Sequence, residues 1–509
     1  MNFGECLTIQ SYRVPEKIAL EDDAKSITFR KLNERVNSLA HGLLELGLRK
    51  GDVVCQLQGN TIEHIELIFA IAKLGMIRLP LNPRAGKSEF VHIINTFEPK
   101  ALVFEEDFSD VLTPLLPQLK TLHNIYIGSA LPAGTVSYED LATRFPVCEP
   151  DVFVEDEAPF FIQSTSGTTG LPKAAMLSQG GLIRRALIRA MDLSTDSNGI
   201  YLAVTALANT ASIFYGLSQL YCGGMVILRN RFEPLETVRL IEKRRISNIS
   251  MVPVMWERVL NLPNLKDFDL SSIEIAMSYG APLHQATREK IIKNVTPNLF
   301  ESFGITETGP ITILFPRDQL KKLNCVGQPT MHTQIRILDE NGQDLPIGKE
   351  GEIVVKTPYL FVGYLKNPGE TAKTFRNGWY YTGDIGRFDE DHGLYILGRS
   401  KEMIISGGYN IYAEEVEQVL ATHPKVQEVA VIAVPDEKWG EAVKGVVVLK
   451  PGVQATEAEI IDFCKDNLAS YKKPRSVDFV SSLPRVGAEK IARNKLREKY
   501  WAGFERKVH

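Results

Sequence analysis

Val53-Val54-Cys55-Gln56-Leu57 is followed by Asn60-Thr61-Ile62-Glu63 and then by Gly75. The first five residues read as a short buried strand. Asn60 with Glu63 three positions on is a helix-opening cap, predicting a helix to about Leu74 with Gly75 as its stop. Upstream, Leu32, Val36, Leu39 and Leu43 recur at helical spacing, and Gly47 stands as a C-cap. Helix, strand, helix, strand at this rhythm predicts α/β architecture with layered sheets.

The last hundred residues carry a different pattern. Ala413 to Leu420 reads as a helix ended by His423-Pro424, Val429–Val434 and Val446–Leu449 as strands, and Thr456-Glu457-Ala458-Glu459 as a capping box opening a helix to about Leu468. This is a small α+β unit with its own apolar positions. The polar stretch Gly398-Arg399-Ser400-Lys401 separates strand-like Leu394–Leu397 from apolar Met403-Ile404-Ile405. The expected fold is therefore α/β, with a large multi-sheet N-terminal domain over 1–399 and a small mobile α+β C-terminal domain over 400–509.

Composition narrows the function classes. The 509 residues hold 58 Lys+Arg and 62 Asp+Glu, a net charge of −4, with 44% hydrophobic residues. A chain this long forms more than one domain. The weakly acidic balance gives no electrostatic case for nucleic acid. No stretch reaches the ~18 consecutive apolar residues of an integral membrane segment, and Met1 to Leu20 lacks a signal-peptide layout. Cys6, Cys55, Cys148, Cys222, Cys325 and Cys464 are scattered, without CxxC, which reads as reduced thiols in a cytoplasmic protein. The nine histidines show no HExxH spacing, so a metal held by protein ligands alone is not expected.

Five segments carry chemistry. Ser164-Thr165-Ser166-Gly167-Thr168-Thr169-Gly170-Leu171-Pro172-Lys173 follows apolar Phe160-Phe161-Ile162. Its glycines bring backbone N–H groups close to an anion, its hydroxyls add donors, and Lys173 adds charge. It is not a Walker loop, because Pro172 separates Gly170 from Lys173 and Ala174 follows. In Ser302-Phe303-Gly304-Ile305-Thr306-Glu307, an aromatic ring can stack on a purine, a hydroxyl can donate to phosphate, and a carboxylate can hold Mg²⁺. Alone this hexamer reads equally as a strand end and turn. Gly378-Trp379-Tyr380-Tyr381-Thr382-Gly383-Asp384 offers an Asp on a Gly turn able to accept both ribose hydroxyls, with Arg399 as a partner. Ser406-Gly407-Gly408-Tyr409-Asn410-Ile411 removes side chains where a ligand could pass, though spacing alone reads as a hairpin turn. The last segment is Leu483-Pro484-Arg485-Val486-Gly487-Ala488-Glu489-Lys490-Ile491-Ala492-Arg493, whose Lys alone is an ordinary surface charge.

Together and in this order, with Gly351-Glu352-Ile353, Gly363-Tyr364 and Pro435-Asp436-Glu437-Lys438-Trp439-Gly440-Glu441, the segments resemble the AMP-forming acyl-CoA synthetases. These belong to the adenylate-forming superfamily, with amino-acid adenylation domains and luciferases. The resemblance implies a two-step carboxylate–CoA ligase acting through an acyl-adenylate. It implies that Ser164, Thr165, Ser166, Gly167, Thr168, Thr169, Gly170 and Lys173 hold the β- and γ-phosphates of ATP. Phe303, between Ser302 and Gly304, would flank adenine with the Tyr279-Gly280-Ala281-Pro282 turn. Thr306 would meet the α-phosphate, Glu307 the Mg²⁺, and Asp384 the ribose, assisted by Arg399. Lys490 would be the catalytic cation of adenylation, Lys401 the hinge, and Gly407 and Gly408 the lining of the pantetheine tunnel. Asn209, Thr210, Tyr279 and Gly304 would line the acyl site.

The sequence departs from the family pattern at Gln179, Asn209, Ala413 and Glu489. Thr210 stands where amino-acid-activating relatives keep an acidic residue, and Gly304 where acetate-type relatives place Trp. The expected substrate is therefore an apolar acid larger than propionate. A medium- or long-chain fatty acid comes first, with an aryl or alicyclic acid as alternative. Partners expected are ATP, CoA and the acid, with a homodimer as a compatible assembly. Two other readings stand beside this one: an acyl-AMP ligase loading a carrier protein, and a nucleotide-binding protein that has lost catalysis, motivated by Glu489. The chain ends at His509 with no carrier domain after Lys490, which favours free CoA.

Overall fold

The computed structural model describes residues 2–83, 85–165, 173–407, 409–486 and 490–501. At Ser164, Thr165, Lys173, Asp466, Val486 and Lys490 it describes the backbone alone. Two compact units result: Met1–Leu323 with Gly327–Gln334 and Lys356–Tyr380, and Asn324–Val326 with Ile335–Val355 and Tyr381–His509. The mixed α/β class with a large N-terminal and a small C-terminal part is as the sequence predicts.

In the first unit, the stretch at Val53–Leu57 is the strand expected, preceded by the helix Phe29–Glu45 and followed by Ile62–Lys73. The cap differs. Thr61, not Asn60, accepts the His64 N–H. Asn60 is turned away by tertiary contacts: its Nδ2 donates to Thr205 O at 2.9 Å and to Arg229 O at 3.0 Å, and its Oδ1 accepts from Leu207 N at 3.0 Å. Val53–Leu57 lies within an eight-stranded sheet ordered Gly363–Tyr364, Lys173–Ser178, Pro159–Thr165, Ile77–Pro80, Val53–Leu57, Ala101–Glu105, His123–Ile127, Val136–Ser137. Its centre is parallel, and Pro159–Thr165 pairs antiparallel with Lys173–Ser178.

Six strands of a second sheet run Leu299–Ile305, Ile275–Tyr279, Asn248–Met251, Ile200–Ala203, Met225–Leu228, Ile18–Glu21, parallel in succession, and antiparallel strands Gly309–Leu314 and Ser26–Thr28 continue it at the two ends. Ile275–Tyr279 and Asn248–Met251 are buried along their whole lengths, as strands covered on both faces must be. The helices Gln179–Asp192 and Thr210–Tyr221 pack beside it. The first helix is capped by Ser178, whose Oγ accepts from Gly181 N at 3.1 Å.

The second unit has a five-stranded sheet of Tyr409–Ile411, Ile404–Ser406, Gly440–Leu449, Val426–Asp436 and Ser476–Phe479, with helices Ala413–Ala421, Glu457–Asn467 and Arg493–Trp501. Ile404, Val416, Leu420, Val431, Val447, Ile460 and Val477 form its core. The two long strands exceed the expected Val429–Val434 and Val446–Leu449, because their pairing continues through Pro435↔Glu441 to Asp436↔Gly440. Among the described residues, no helix is long and apolar enough to cross a membrane. All six cysteines are free thiols.

Candidate active site

In the first unit the candidate residues gather where parallel strands end. Tyr279 and Ser302 are register partners on neighbouring strands. The Gly280-Ala281-Pro282 turn and Phe303 therefore emerge side by side at the carboxyl edge of the sheet, where α/β enzymes bind ligands. Gly280 has φ +85°, a left-handed turn suited to glycine. Leu299–Ile305 then reverses into the antiparallel strand Gly309–Leu314, with an irregularity between Phe303 and Gly304. A Cβ on Gly304 would stand 2.3 Å from Gly309 O. The hairpin itself requires this glycine, so its missing side chain by itself says nothing about acyl-pocket size.

Thr306 and Glu307 occupy the turn between those strands, where the sequence allowed either strand end or turn. Glu307 is buried, and its Oε1 accepts from the Tyr364 phenol at 2.7 Å. Burial, reinforced by the adjacent carboxylate, holds the Tyr364 phenol neutral far above its ordinary range. The backbone of the turn is held as well: Phe361 N donates to Glu307 O at 2.7 Å. The Arg185 Nη2 donates to Thr306 O at 3.0 Å.

The acyl-side candidates are also held. Thr210 is buried and donates to Gln163 Oε1 at 2.7 Å, tying it to the strand that enters the Ser164–Lys173 loop. The Tyr279 phenol donates to Thr205 Oγ1 at 3.1 Å and shares a 2.9 Å bond with Ser212 Oγ. Its ring lies 5.5 Å from that of Tyr215. Asn209 sits at the N-cap position of Thr210–Tyr221, exposed and making no side-chain cap bond. Gln179 belongs elsewhere: its Oε1 accepts from Phe3 N at 2.9 Å and its Nε2 donates to Ala72 O at 3.1 Å, so it packs the N-terminal helix. Of the loop itself, Ser166, Gly167, Thr168, Thr169, Gly170, Leu171 and Pro172 lie outside the described residues, and Ser164, Thr165 and Lys173 are described as backbone only.

In the second unit, Asp384 lies within the strand Trp379–Phe388 rather than on a turn, opposite Arg399 in Leu394–Arg399. Gly383, at φ +72°, supplies the expected local freedom inside the strand. The Arg399 Nε donates to Asp384 Oδ1 at 3.1 Å, and Asp384 is buried. Lys401 is exposed in the short helix Ser400–Glu402. Gly407, at φ +60°, turns the hairpin between Ile404–Ser406 and Tyr409–Ile411. A Cβ there would meet Trp439 Cε3 at 2.5 Å. Gly408 and Glu489 lie outside the described residues, and Lys490 is described only as backbone, pairing with Val486.

Residues 7–365 match the AMP-binding enzyme family, and 415–490 match the AMP-binding enzyme C-terminal domain. The chain belongs to the AMP-binding enzyme family. Feruloyl-CoA synthase of an Amycolatopsis species is 32% identical to it over 490 residues, 96% of each chain. The medium/long-chain-fatty-acid–CoA ligase of Mycobacterium tuberculosis is 31% identical over 500 residues, 95% of this chain and 87% of that one. The solved structure of ATP-bound MatB from Rhodopseudomonas palustris matches with a TM-score of 0.88 at 29% identity, covering 99% of this chain and 100% of that chain. This AMP-binding enzyme is an acid–thiol ligase of the acyl-CoA synthetase kind, as its sequence resemblance implied.

Several partners of the site in this AMP-binding enzyme went unread in the sequence. Gln163, Thr205 and Ser212 are small or neutral polar residues without a motif. Arg78 is fully buried, donates to Leu207 O at 3.3 Å, and stacks 4.6 Å from the Phe161 ring centre. Burial pushes its guanidinium down to about 9. With Asn60 it fixes the segment that leads into Asn209. The only sequence signal was a lone Arg in an apolar strand.

Proposed function

We propose that the enzyme is an AMP-forming carboxylate–CoA ligase acting on an apolar acid larger than propionate. The observation that carries this reading is the Thr306–Glu307 turn. It presents a hydroxyl and a buried, pre-oriented carboxylate at the tip of the hairpin whose first strand leaves the sheet's carboxyl edge next to the Gly280-Ala281-Pro282 turn. The donor set fits a nucleotide-borne Mg²⁺: one hard carboxylate oxygen, and no cluster of three His/Cys/Asp/Glu among the described residues, so substrate phosphates would complete the shell. Glu307 would hold that cation, which when bound neutralises phosphate charge.

In the first half-reaction a carboxylate oxygen bonds to the α-phosphorus of ATP and the bond from that phosphorus to the bridging oxygen breaks, releasing pyrophosphate. Thr306 donates to an α-phosphate oxygen, Phe303 and the Gly280 turn flank adenine, and Asp384 with Arg399 holds the ribose. Lys490 bridges the acyl carboxylate and the α-phosphate, where a flexible ammonium follows charge between two oxygens. Ser164 to Gly170 and Lys173 take the β- and γ-phosphates. In the second half-reaction the CoA thiolate bonds to the acyl carbon and AMP leaves, the thiol proton passing to solvent. Residues 400–509 are proposed to turn about Lys401 between the two steps, bringing Gly407 and Gly408 to the pantetheine arm. Such motions commonly limit turnover.

For the acid, a medium- or long-chain fatty acid comes first and an aryl or alicyclic acid is the alternative, which would meet the Tyr279 and Tyr215 rings. Both rings are buried, 5.5 Å apart, and the Tyr279 phenol is pinned by the hydroxyls of Ser212 and Thr205. Names among the relatives span feruloyl and fatty acyl substrates, so both classes enter the test. Free thiols throughout favour the cytoplasm. The experiment is a pyrophosphate-release screen over fatty, aryl and alicyclic acids with Mg·ATP, followed by detection of acyl-CoA. Release with an acid but no thioester from free CoA would favour the carrier-loading alternative. No release with any acid would refute the reading.

A further inference from the structure

Glu307 is held at three points by groups that lie far away in the chain. Tyr364 donates to its Oε1 at 2.7 Å. Phe361 N donates to its carbonyl at 2.7 Å. Arg185, only 2% exposed, gathers the carbonyls of Thr306 at 3.0 Å, Glu307 at 3.4 Å and Tyr359 at 3.1 Å through Nη2, and Tyr359 O again at 3.3 Å through Nε. No carboxylate lies within ion-pair distance of this guanidinium among the described residues. A buried cation satisfied by carbonyls is costly, and burial pushes it down to about 10. Room for it is made by Gly309 at φ +70°, where a Cβ would stand 2.8 Å from Arg185 Nε.

These anchors share one origin. Arg185 is on the helix Gln179–Asp192, which directly follows the strand Lys173–Ser178. Gly363 and Tyr364 pair with Met176 and Ala175 of that same strand, and Val362 N donates to Met176 O at 2.7 Å. The strand and helix that leave the Ser164–Lys173 loop therefore carry both grips on the Glu307 turn. We propose that Tyr364 and Arg185 are positioning residues for the Glu307 carboxylate. Tyr364 fixes its rotamer, Arg185 fixes its backbone, and both tie the cation-holding group to the loop that takes the phosphates. Hydrogen-bonded partners behind a metal-binding carboxylate typically govern tenfold or more of metal affinity. The inference rests on the reading of Glu307 as the carboxylate that meets the nucleotide's cation.

The test is equilibrium binding of ATP to the full chain, without acid, as Mn²⁺ is titrated, so that no turnover is read. Tyr364→Phe should raise the Mn²⁺ concentration for half-maximal ATP binding about tenfold and leave metal-free ATP binding unchanged. Arg185→Lys, which keeps the charge but loses the fork, should raise it severalfold. Thermal unfolding identifies a variant that fails to fold, and Tyr364→Phe, a single-oxygen deletion, then carries the test. In a Glu307→Gln background, Tyr364→Phe should add nothing. A Tyr364→Phe profile within twofold of wild type, or an equal additional shift in the Glu307→Gln background, overturns the proposal. If Glu307→Gln itself leaves the Mn²⁺ dependence unchanged, the underlying assignment of Glu307 falls, and the positioning role with it.

Discussion

Replacing Tyr279 by Ala should lengthen the acids that the enzyme prefers. The ring is 9% exposed, 5.5 Å from Tyr215, and its phenol is fixed by Ser212 at 2.9 Å and Thr205 at 3.1 Å. Its removal vacates room for roughly four methylenes, each contributing about 0.8 kcal/mol in an apolar pocket, or ~3 kcal/mol in all. That corresponds to about two orders of magnitude in kcat/KM. Partial collapse of the surroundings reduces this to a gain on the order of tenfold for long over short acids. The protein should lose ~3–5 kcal/mol of stability, as aromatic truncations in cores do. Tyr279→Phe keeps the wall, should leave the acid profile unchanged, and should cost about 1 kcal/mol for the lost phenol bonds. The assay is kcat/KM by pyrophosphate release for straight-chain acids from butyrate to tetradecanoate and for cinnamate, with thermal unfolding as the folding control. Superimposable chain-length profiles for wild type and Tyr279→Ala would refute the placement of the acyl site beside this ring.

Three further outcomes are expected. Asp384→Ala should raise the KM for ATP by roughly tenfold to a hundredfold, the loss of charge-assisted bonds of about 1.5–3 kcal/mol, and leave the acid KM within a factor of two. Steady-state kinetics checks this. Gly407→Ala would set a methyl 2.5 Å from the Trp439 ring at φ +60°. It should slow thioester formation from supplied acyl-adenylate at least tenfold while leaving acid-dependent pyrophosphate release near wild type. Asp192 is raised by burial from 3.8 to about 6. The folded state therefore binds the proton more tightly than the unfolded chain, and stability falls as pH rises from about 4 through 6. Asp192→Asn should remove that slope and stabilise the protein at neutral pH by about 1 kcal/mol, since solvent screens the partly exposed carboxyl. Denaturant midpoints across this range measure it.

The local code was legible where a segment's partners are near in sequence. The helix Phe29–Glu45, the strand Val53–Leu57 and the Thr456 cap depend on periodicity and on bonds three residues apart. Sequence reading faltered where distant contacts decide. Asn60 looked like a cap but was claimed by backbone from Thr205, Leu207 and Arg229, leaving the cap to Thr61. Gly304 looked like an open pocket but is required by the carbonyl across its own hairpin. Asp384 looked like a turn residue, yet strand pairing with Arg399 fixes it. Tyr364 entered only as part of the family resemblance and Arg185 not at all, because they meet Glu307 and its neighbours across 57 and more than a hundred residues, and Arg185 does so through carbonyls that every residue possesses.

The proposed two-step reaction depends most on a single amine performing adenylation. Acid-dependent exchange of labelled pyrophosphate into ATP, compared between wild type and Lys490→Ala, measures this directly. Wild type should exchange label only with acid present, and Lys490→Ala should lose exchange while still converting supplied acyl-adenylate and CoA to thioester. Exchange that survives in Lys490→Ala, or equal loss of both half-reactions, would contradict it.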